Sequence, residues 1–388
     1  MRKAFRYRLY PTATQIASLS EQLREACDLY NAALQERKDG WKAGKKTINY
    51  YDQANQLKEI RAEGLTRLAN FSCCQDVLRR LDKAFKAFFK RVKAGKKPGF
   101  PRYRSYSRFD SVTFPSYGDG IRLLESGKLR IQGVGQVKVK LHRPIEGKIK
   151  TITIRREAGK WYVCFSVVID AAPLEPSGLE VGIDVGIGSF AVLSDGTIIH
   201  NPQFFKHAQP TIRRAQRKVS RRKKGSRGRK EAVRELQVVH AKIKNRRKDF
   251  HHKLAHALVH RFGLIAVEEL NVQALASGML SKAVLDAGWS VFIEKLAYKA
   301  ESAGRLLVKV DPRGTSQRCS GCGCAAPKEL KDRWHVCSAC SLSVSRDLNS
   351  AIEILRLGRS LVGETWAAAP CVPTKADAIL AKESSLVD

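Results

Sequence analysis

The sequence predicts an α/β domain preceded by a small β-barrel that carries a helical insertion. Short alternating apolar runs separated by Gly-rich turns fill residues 121–169, the pattern of a small barrel. After a Pro-containing stretch, three apolar runs, a basic helical region, a strand, a helix, a strand and a last helix follow in that order. The charge sets the partner: 71 Lys+Arg against 37 Asp+Glu gives +34 over 388 residues. That excess repels itself in a compact state and calls for a polyanion, nucleic acid before anionic membrane. No apolar run is long enough to span a bilayer, no signal-peptide core is present, and Met1-Arg-Lys-Ala-Phe-Arg6 is too polar for secretion. Cys27, Cys73, Cys74, Cys164 and Cys371 are scattered, which suits reduced thiols rather than a disulfide framework.

Lys3–Tyr10 alternates basic and apolar residues as a strand does, and Pro11 stops it. Thr12-x-x-Gln15 is a capping box for a helix whose apolar stripe is Ile16, Leu19, Leu23, Cys27, Tyr30 and Leu34. A second helix, Gln75–Val92, turns Leu78, Leu81, Phe85, Phe88 and Val92 to a core, with Arg79, Arg80, Lys83, Lys86 and Lys90 opposite. From Lys96, cations interleave with Phe100, Tyr103, Tyr106 and Phe109, a mixture that holds phosphates and stacks on bases. Strands are expected at Ile121–Leu123, Leu129–Ile131, Val137–Leu141, Ile149–Ile154 and Trp161–Ile169, with Lys3–Tyr10 joining them. The stretch Ala171-Ala-Pro-Leu-Glu-Pro-Ser-Gly178 reads as a linker.

The second half opens on Val181-Gly-Ile-Asp-Val-Gly186, a buried strand carrying one acid, with an Asp195-Gly196 hairpin turn beyond it. A basic segment from Arg213 to Lys248 follows. Gly225 and Gly228 should break it into two helices, and its repulsion should leave it partly disordered without a partner. Leu264–Asn271 is a strand ending in acids, Trp289–Ala303 a helix, and Leu306–Val310 a strand. Leu348, Ile352 and Leu355 mark the closing helix, and a tail beyond Gly358 is expected to be flexible.

Two constellations carry chemistry. Cys319-x-x-Cys322 and Cys337-x-x-Cys340, with 14 residues between the pairs, fit one closed tetrahedral Zn²⁺ site; Cys324 is a spare thiol. The element order is that of a ribonuclease H-like fold, which brings Asp184 on the first strand, Glu268 at the end of the fourth and Asp347 at the start of the last helix together. Each acid alone is equally a salt-bridge partner. Three close carboxylates stay ionised only with cations between them. Two Mg²⁺ ions about 4 Å apart meet that need and suit phosphodiester hydrolysis, one activating water and the other stabilising the leaving 3′ oxygen. Glu269 and Asp311 are rivals, Glu269 pointing the other way by strand alternation. The nine histidines show no metal spacing, and His251-His252 reads as part of the basic helix.

Phe5–Pro11, Lys97–Tyr103, Gly182–Gly186, Ser220–Gly225, Asn245–Lys253, Val267–Asn271, Asp286–Trp289, Asp311–Gly323 and Arg346–Ala351 together resemble TnpB, the OrfB-type protein of bacterial insertion sequences, related to type V CRISPR effectors. The resemblance implies an RNA-guided DNA endonuclease of a transposable element. It implies a guide RNA from the element itself and a double-stranded DNA target beside a short flanking motif. It implies a wedge-like barrel (1–10 and 96–172) with a helical recognition insertion (11–95). A split RuvC-like nuclease domain (173–310 and 342–358), an inserted zinc ribbon (311–341) and a flexible tail (359–388) follow. The family's catalytic acids fall on Asp184, Glu268 and Asp347, and its zinc ligands on the four cysteines. Ser345 stands where many relatives have another acid, and Glu269 where many have Asp. One protomer per RNA and a place in a prokaryotic cytoplasm beside the nucleoid go with this reading. A nuclease-inactive RNA-guided repressor and a transposase are the alternatives.

Overall fold

The computed structural model describes residues 1–170, 173–329 and 332–363. The chain divides into two compact units at Asp170/Ala171. No helix among the described residues is long and apolar enough to cross a membrane.

The first unit begins with β1 (Arg2–Tyr10) and α1 (Ala13–Gly44). Thr12 caps α1: its side chain accepts from Gln15 N, and Gln15 Oε1 accepts from Thr12 N at 3.1 Å, the reciprocal capping box. Next come α2 (Tyr50–Asn55), α3 (Leu57–Ala62) and α4 (Phe71–Lys93). Then follow β2 (Ser111–Phe114), β3 (Ile121–Leu123), β4 (Lys128–Ile131), β5 (Gly135–Lys140), β6 (Lys148–Glu157) and β7 (Lys160–Val168). All pair antiparallel in the order β2-β6-β7-β1-β5-β4-β3, a barrel-like sheet with β1 at its centre. Tyr7 and Leu9 of β1 and Val163, Phe165 and Val167 of β7 share its buried face with Leu23, Cys27 and Leu34 of α1 and Leu78 and Leu81 of α4.

Several details differ from the sequence expectations. The helix expected from Gln75 starts at Phe71, because the Asn70 side chain accepts from Cys73 N and caps it. Its last turns leave the core, so Val92 is exposed, as is Ile16 of α1. The short elements α2, α3 and β2 were not anticipated.

The second unit holds β8 (Glu180–Val185), β9 (Ser189–Leu193), β10 (Ile198–His200), α5 (Phe204–Ser220), α6 (Arg227–Arg261) and β11 (Leu264–Glu268). It continues through α7 (Val272–Leu275), α8 (Ser281–Ala287), α9 (Trp289–Ala303) and β12 (Leu306–Val310). It ends with β13 (Trp334–Val336), β14 (Ser343–Ser345) and α10 (Arg346–Val362). The main sheet runs β10-β9-β8-β11-β12: β8, β9 and β10 meander antiparallel, and β11 lies parallel to both β8 and β12. Gly196 adopts φ 87° in the β9–β10 turn, where Asp195 Oδ1 accepts from Thr197 N. One face of the sheet packs Val181, Ile183, Ile265 and Val267 against Leu254 and Leu258 of α6 and Phe292 and Leu296 of α9. On the other, Ala266 and Val310 meet Ile354 of α10.

The basic segment forms two helices, corrected in two respects. It begins at Phe204, and the break spans 221–226, so Gly225 (φ 84°) lies in it while Gly228 lies inside α6. Both helices are formed. Lys218–Glu235 and Arg227–Glu231 ion pairs offset part of the repulsion, and buried Ile212, Ala232 and Ile243 supply packing. His251 is not a surface basic residue: it is 1% exposed, and its Nε2 lies 2.9 Å from Ala287 O. Burial holds its imidazole down to about 4. The closing helix runs to Val362, past the boundary expected at Gly358, and residues 364–388 of the expected tail lie outside the described residues.

Candidate active site

Strand alternation sets the site. Val181 and Ile183 of β8 face the core, so Gly182 and Asp184 face α10. Only glycine fits at 182, because a Cβ there would lie 2.0 Å from Ala351 O. That close approach seats the N-terminal turns of α10 over Asp184. On β11, Val267 pairs with Ile183, which puts Glu268 abreast of Asp184 on the face of Ala266. Asp347 lies in the first turn of α10, where the helix dipole favours an anion; Ser345 caps that helix by accepting from Leu348 N.

The three predicted acids therefore meet at one end of the sheet. Asp184 is held well above the usual carboxylate range, by burial first and then by the charges of Glu268 and Asp347; Arg346 opposes the shift. Burial also raises Glu268, against the Thr315 hydroxyl, which donates to Glu268 Oε1 at 2.5 Å. Arg346 Nε lies 3.5 Å from Asp347 Oδ1. The opposition to ionisation that Glu268 and Asp347 impose on buried Asp184, among hard oxygen donors, is what divalent cations such as Mg²⁺ relieve. Among the described residues only the four cysteines form a potential metal-binding group within 4.8 Å; the three acids do not close to that range. Of the rivals, Glu269 is exposed and Asp311 binds its own turn by accepting from Arg313 N.

The four cysteines converge. Cys319 Sγ and Cys340 Sγ are 3.5 Å apart, and Cys322 Sγ and Cys337 Sγ 3.6 Å. A tetrahedral zinc with bonds of about 2.3 Å sets sulfurs about 3.8 Å apart, so the set fits that ion. The backbone N–H of Cys340, helped by that of Ala339, draws the Cys337 thiol down, while against the Leu342 N–H the neighbouring sulfurs push Cys340 up, so thiols this close do not all lose their protons without a cation among them. Cys324 is exposed and stands outside the group.

With this geometry in view, three family models match the chain in succession. They are described as "Helix-turn-helix domain" over residues 1–46, "Probable transposase" over 156–278 and "Cas12f1-like, TNB domain" over 289–354. A "Putative RNA-guided DNA endonuclease" of Streptomyces pristinaespiralis is 34% identical over 368 residues, covering 92% of this chain and 90% of its own. The chain belongs to the TnpB (OrfB) family. The CRISPR-associated endodeoxyribonuclease Cas12f1 of Sulfoacidibacillus thermotolerans is 26% identical over 335 residues, 74% of this chain and 77% of its own. The solved mini-RNA-guided endonuclease CRISPR-Cas_phi3 aligns over 92% of both chains at a TM-score of 0.51 and 8% identity, which shows a shared fold. In this TnpB-family chain, residues 1–46 hold one strand and one unbroken long helix, rather than two helices about a turn.

Three further residues, two beside the site and one at the start of α5, escape a reading by sequence. Thr315, 1% exposed, orients Glu268 from 47 positions away. Asn349, fully buried, donates to Arg318 O at 2.7 Å and accepts from Ser320 N at 2.9 Å, so it ties α10 to the first cysteine turn two residues beyond Asp347. Asp286 accepts from Phe205 N and Lys206 N and from Arg247 Nη2, capping α5 from another part of the chain. Only their place inside the resembling stretches Asp286–Trp289, Asp311–Gly323 and Arg346–Ala351 marks them.

Proposed function

We propose that this protein is an RNA-guided DNA endonuclease of a transposable element, cutting double-stranded DNA beside a short flanking motif. The observation that carries the reading is the convergence of Asp184, Glu268 and Asp347: burial first, then the charges of Glu268 and Asp347, oppose the ionisation of Asp184. Relatives named as RNA-guided endonucleases across nine-tenths of the chain support it. In this reading the second unit is a split RNase H-like (RuvC) domain, 173–310 and 342–358, carrying a zinc ribbon at 311–341. The first unit is a wedge-like barrel, 1–10 and 96–172, with recognition helices at 11–95. One protomer binds one guide RNA transcribed from its own element, in a prokaryotic cytoplasm.

In this reading Asp184, Glu268 and Asp347 would hold two Mg²⁺ ions, and the four cysteines would hold one structural Zn²⁺. Bound there, Mg²⁺ supplies Lewis-acid stabilisation of the phosphate and an activated water for in-line hydrolysis. The chain's own groups prepare that place. Thr315 fixes the Glu268 carboxylate, and Asn349 anchors the helix that presents Asp347. Arg346 flanks Asp347 and offsets part of the negative charge felt by Asp184.

The test is protein co-expressed with its element's RNA, mixed with matched plasmid and Mg²⁺. Guide-dependent linearisation supports the nuclease, binding without cuts supports the repressor, and guide-free joined products support the transposase. Asp184→Ala is expected to abolish cutting and leave guided binding nearly intact; equal loss of both contradicts the assignment.

A further inference from the structure

The tip of the α5–α6 hairpin holds a dense group of cations, and the structure separates them into two kinds. Some are already engaged. Lys218 Nζ pairs with Glu235 at 2.7 Å and links the two helices. Arg229 Nη1 donates to Val219 O at 2.7 Å and to Arg222 O at 3.2 Å, closing the C-terminal end of α5. Arg227 pairs with Glu231 one turn on. Arg213, Arg214, Arg217, Arg221 and Arg222 are different: all five are exposed, and no carboxylate partner is found for them among the described residues.

Their spacing is ordered. Arg213, Arg217 and Arg221 recur every fourth residue, and Arg214, Lys218 and Arg222 form a second such row beside them. Four residues of helix advance about 6 Å, so Arg213 and Arg217, with Arg214 and Lys218 beside them, ladder along α5, and Arg221 and Arg222 extend the two rows into the turn just after it. Together with Pro210 the two rows line one concavity of about 720 Å³. Like charges at this spacing destabilise a helix unless an anion of matching repeat lies against them. A phosphodiester strand is such an anion, and guanidinium is the donor best suited to its oxygens.

We propose that this arginine ladder is a clamp for a phosphodiester backbone, with Arg213, Arg217 and Arg221 as its principal contacts and Lys218, Arg227 and Arg229 as scaffold. It rests on the nucleic-acid reading above and names the part of the second unit that grips the strand. The clamp is separate from the acids, so it acts on affinity and not on the chemical step.

The test uses the full-length protein without added Mg²⁺, so no cutting is involved and the clamp stands or falls apart from the nuclease assignment. Binding of a single-stranded RNA and of a DNA duplex is measured by anisotropy between about 50 and 200 mM salt. For R213Q/R217Q/R221Q, the slope of log affinity against log salt should shrink by roughly two on single-stranded segments and nearly three on duplex. A change confined to the RNA arm assigns the clamp to RNA, and one confined to the duplex assigns it to DNA. An unchanged slope on both overturns the proposal. R227Q/E231Q, a scaffold pair outside the concavity, should keep the parent slope; a fall as large as the triple variant's would overturn the division into clamp and scaffold. The triple variant's thermal midpoint should be no lower than the parent's, because neutralisation relieves repulsion; a lower midpoint contradicts unpaired arginines.

Discussion

Asp184 occupies a strand position that is hard to leave charged: burial and two neighbouring carboxylates all favour its neutral form. A side chain in that state is of use mainly to a cation, which explains why a costly acid sits between Ile183 and Val185. Glu268 has a helper, the Thr315 hydroxyl, which both orients it and resists the effect of burial. Thr315→Val keeps the shape and removes only the donor. Guided cutting should fall about 10- to 100-fold and the Mg²⁺ requirement should rise, as for other groups that orient a metal ligand. Guided binding should be unchanged. Wild-type cutting at limiting Mg²⁺ would show that Thr315 is packing alone. That the three acids come to one end of the sheet was legible from their joint fit to one element order, since each alone reads equally as a salt-bridge partner. Thr315 was not, because a buried threonine is ordinary until its partner is known.

Among the elements, legibility followed the range of the deciding contact. The Thr12–Gln15 capping box is complete within four residues and fixed the start of α1 from sequence. The start of α5 depends on Asp286, some 80 positions away, and was missed by nine residues. Strand β2 carries an alternating Ser-Val-Thr-Phe, yet four residues are too few to stand out without β6 beside them. Helix α10 joins two of these scales, since β14 leads straight into it and Asn349 ties it to the Cys319–Cys322 turn. Loss of the four-sulfur site should therefore disturb Asp347. Cys337→Ser replaces a soft ligand with a poor one. We expect lost zinc and a fall in unfolding free energy on the order of 4 kcal/mol, the scale of a lost structural metal. Cutting should fail with it. Zinc content by metal analysis and a denaturant titration check this; parental values for both would show that the cysteines are plain core thiols.

At the scale of the whole chain, the succession of elements in the second half was readable because few topologies accommodate three meandering strands followed by two strands entered through helices. The charge was equally readable, but not its distribution, because sequence cannot tell a cation engaged by Glu235 from one that faces water. A net charge of +34 has two consequences of opposite sign. In the free protein the cations repel one another, and salt shortens the reach of that repulsion to about 8 Å at 0.15 M. Raising NaCl from about 50 to 200 mM should then stabilise the free protein by about 1 kcal/mol, or roughly 2–4 °C in midpoint for units of this size. Over the same interval, affinity for nucleic acid should drop by about a thousandfold or more, as released counterions lose their advantage. A nucleic-acid-bound sample should therefore lose midpoint where the free protein gains it, and the two melting curves should approach each other as salt rises. Parallel curves would mean that the positive charge is already balanced within the fold and has no polyanion to meet.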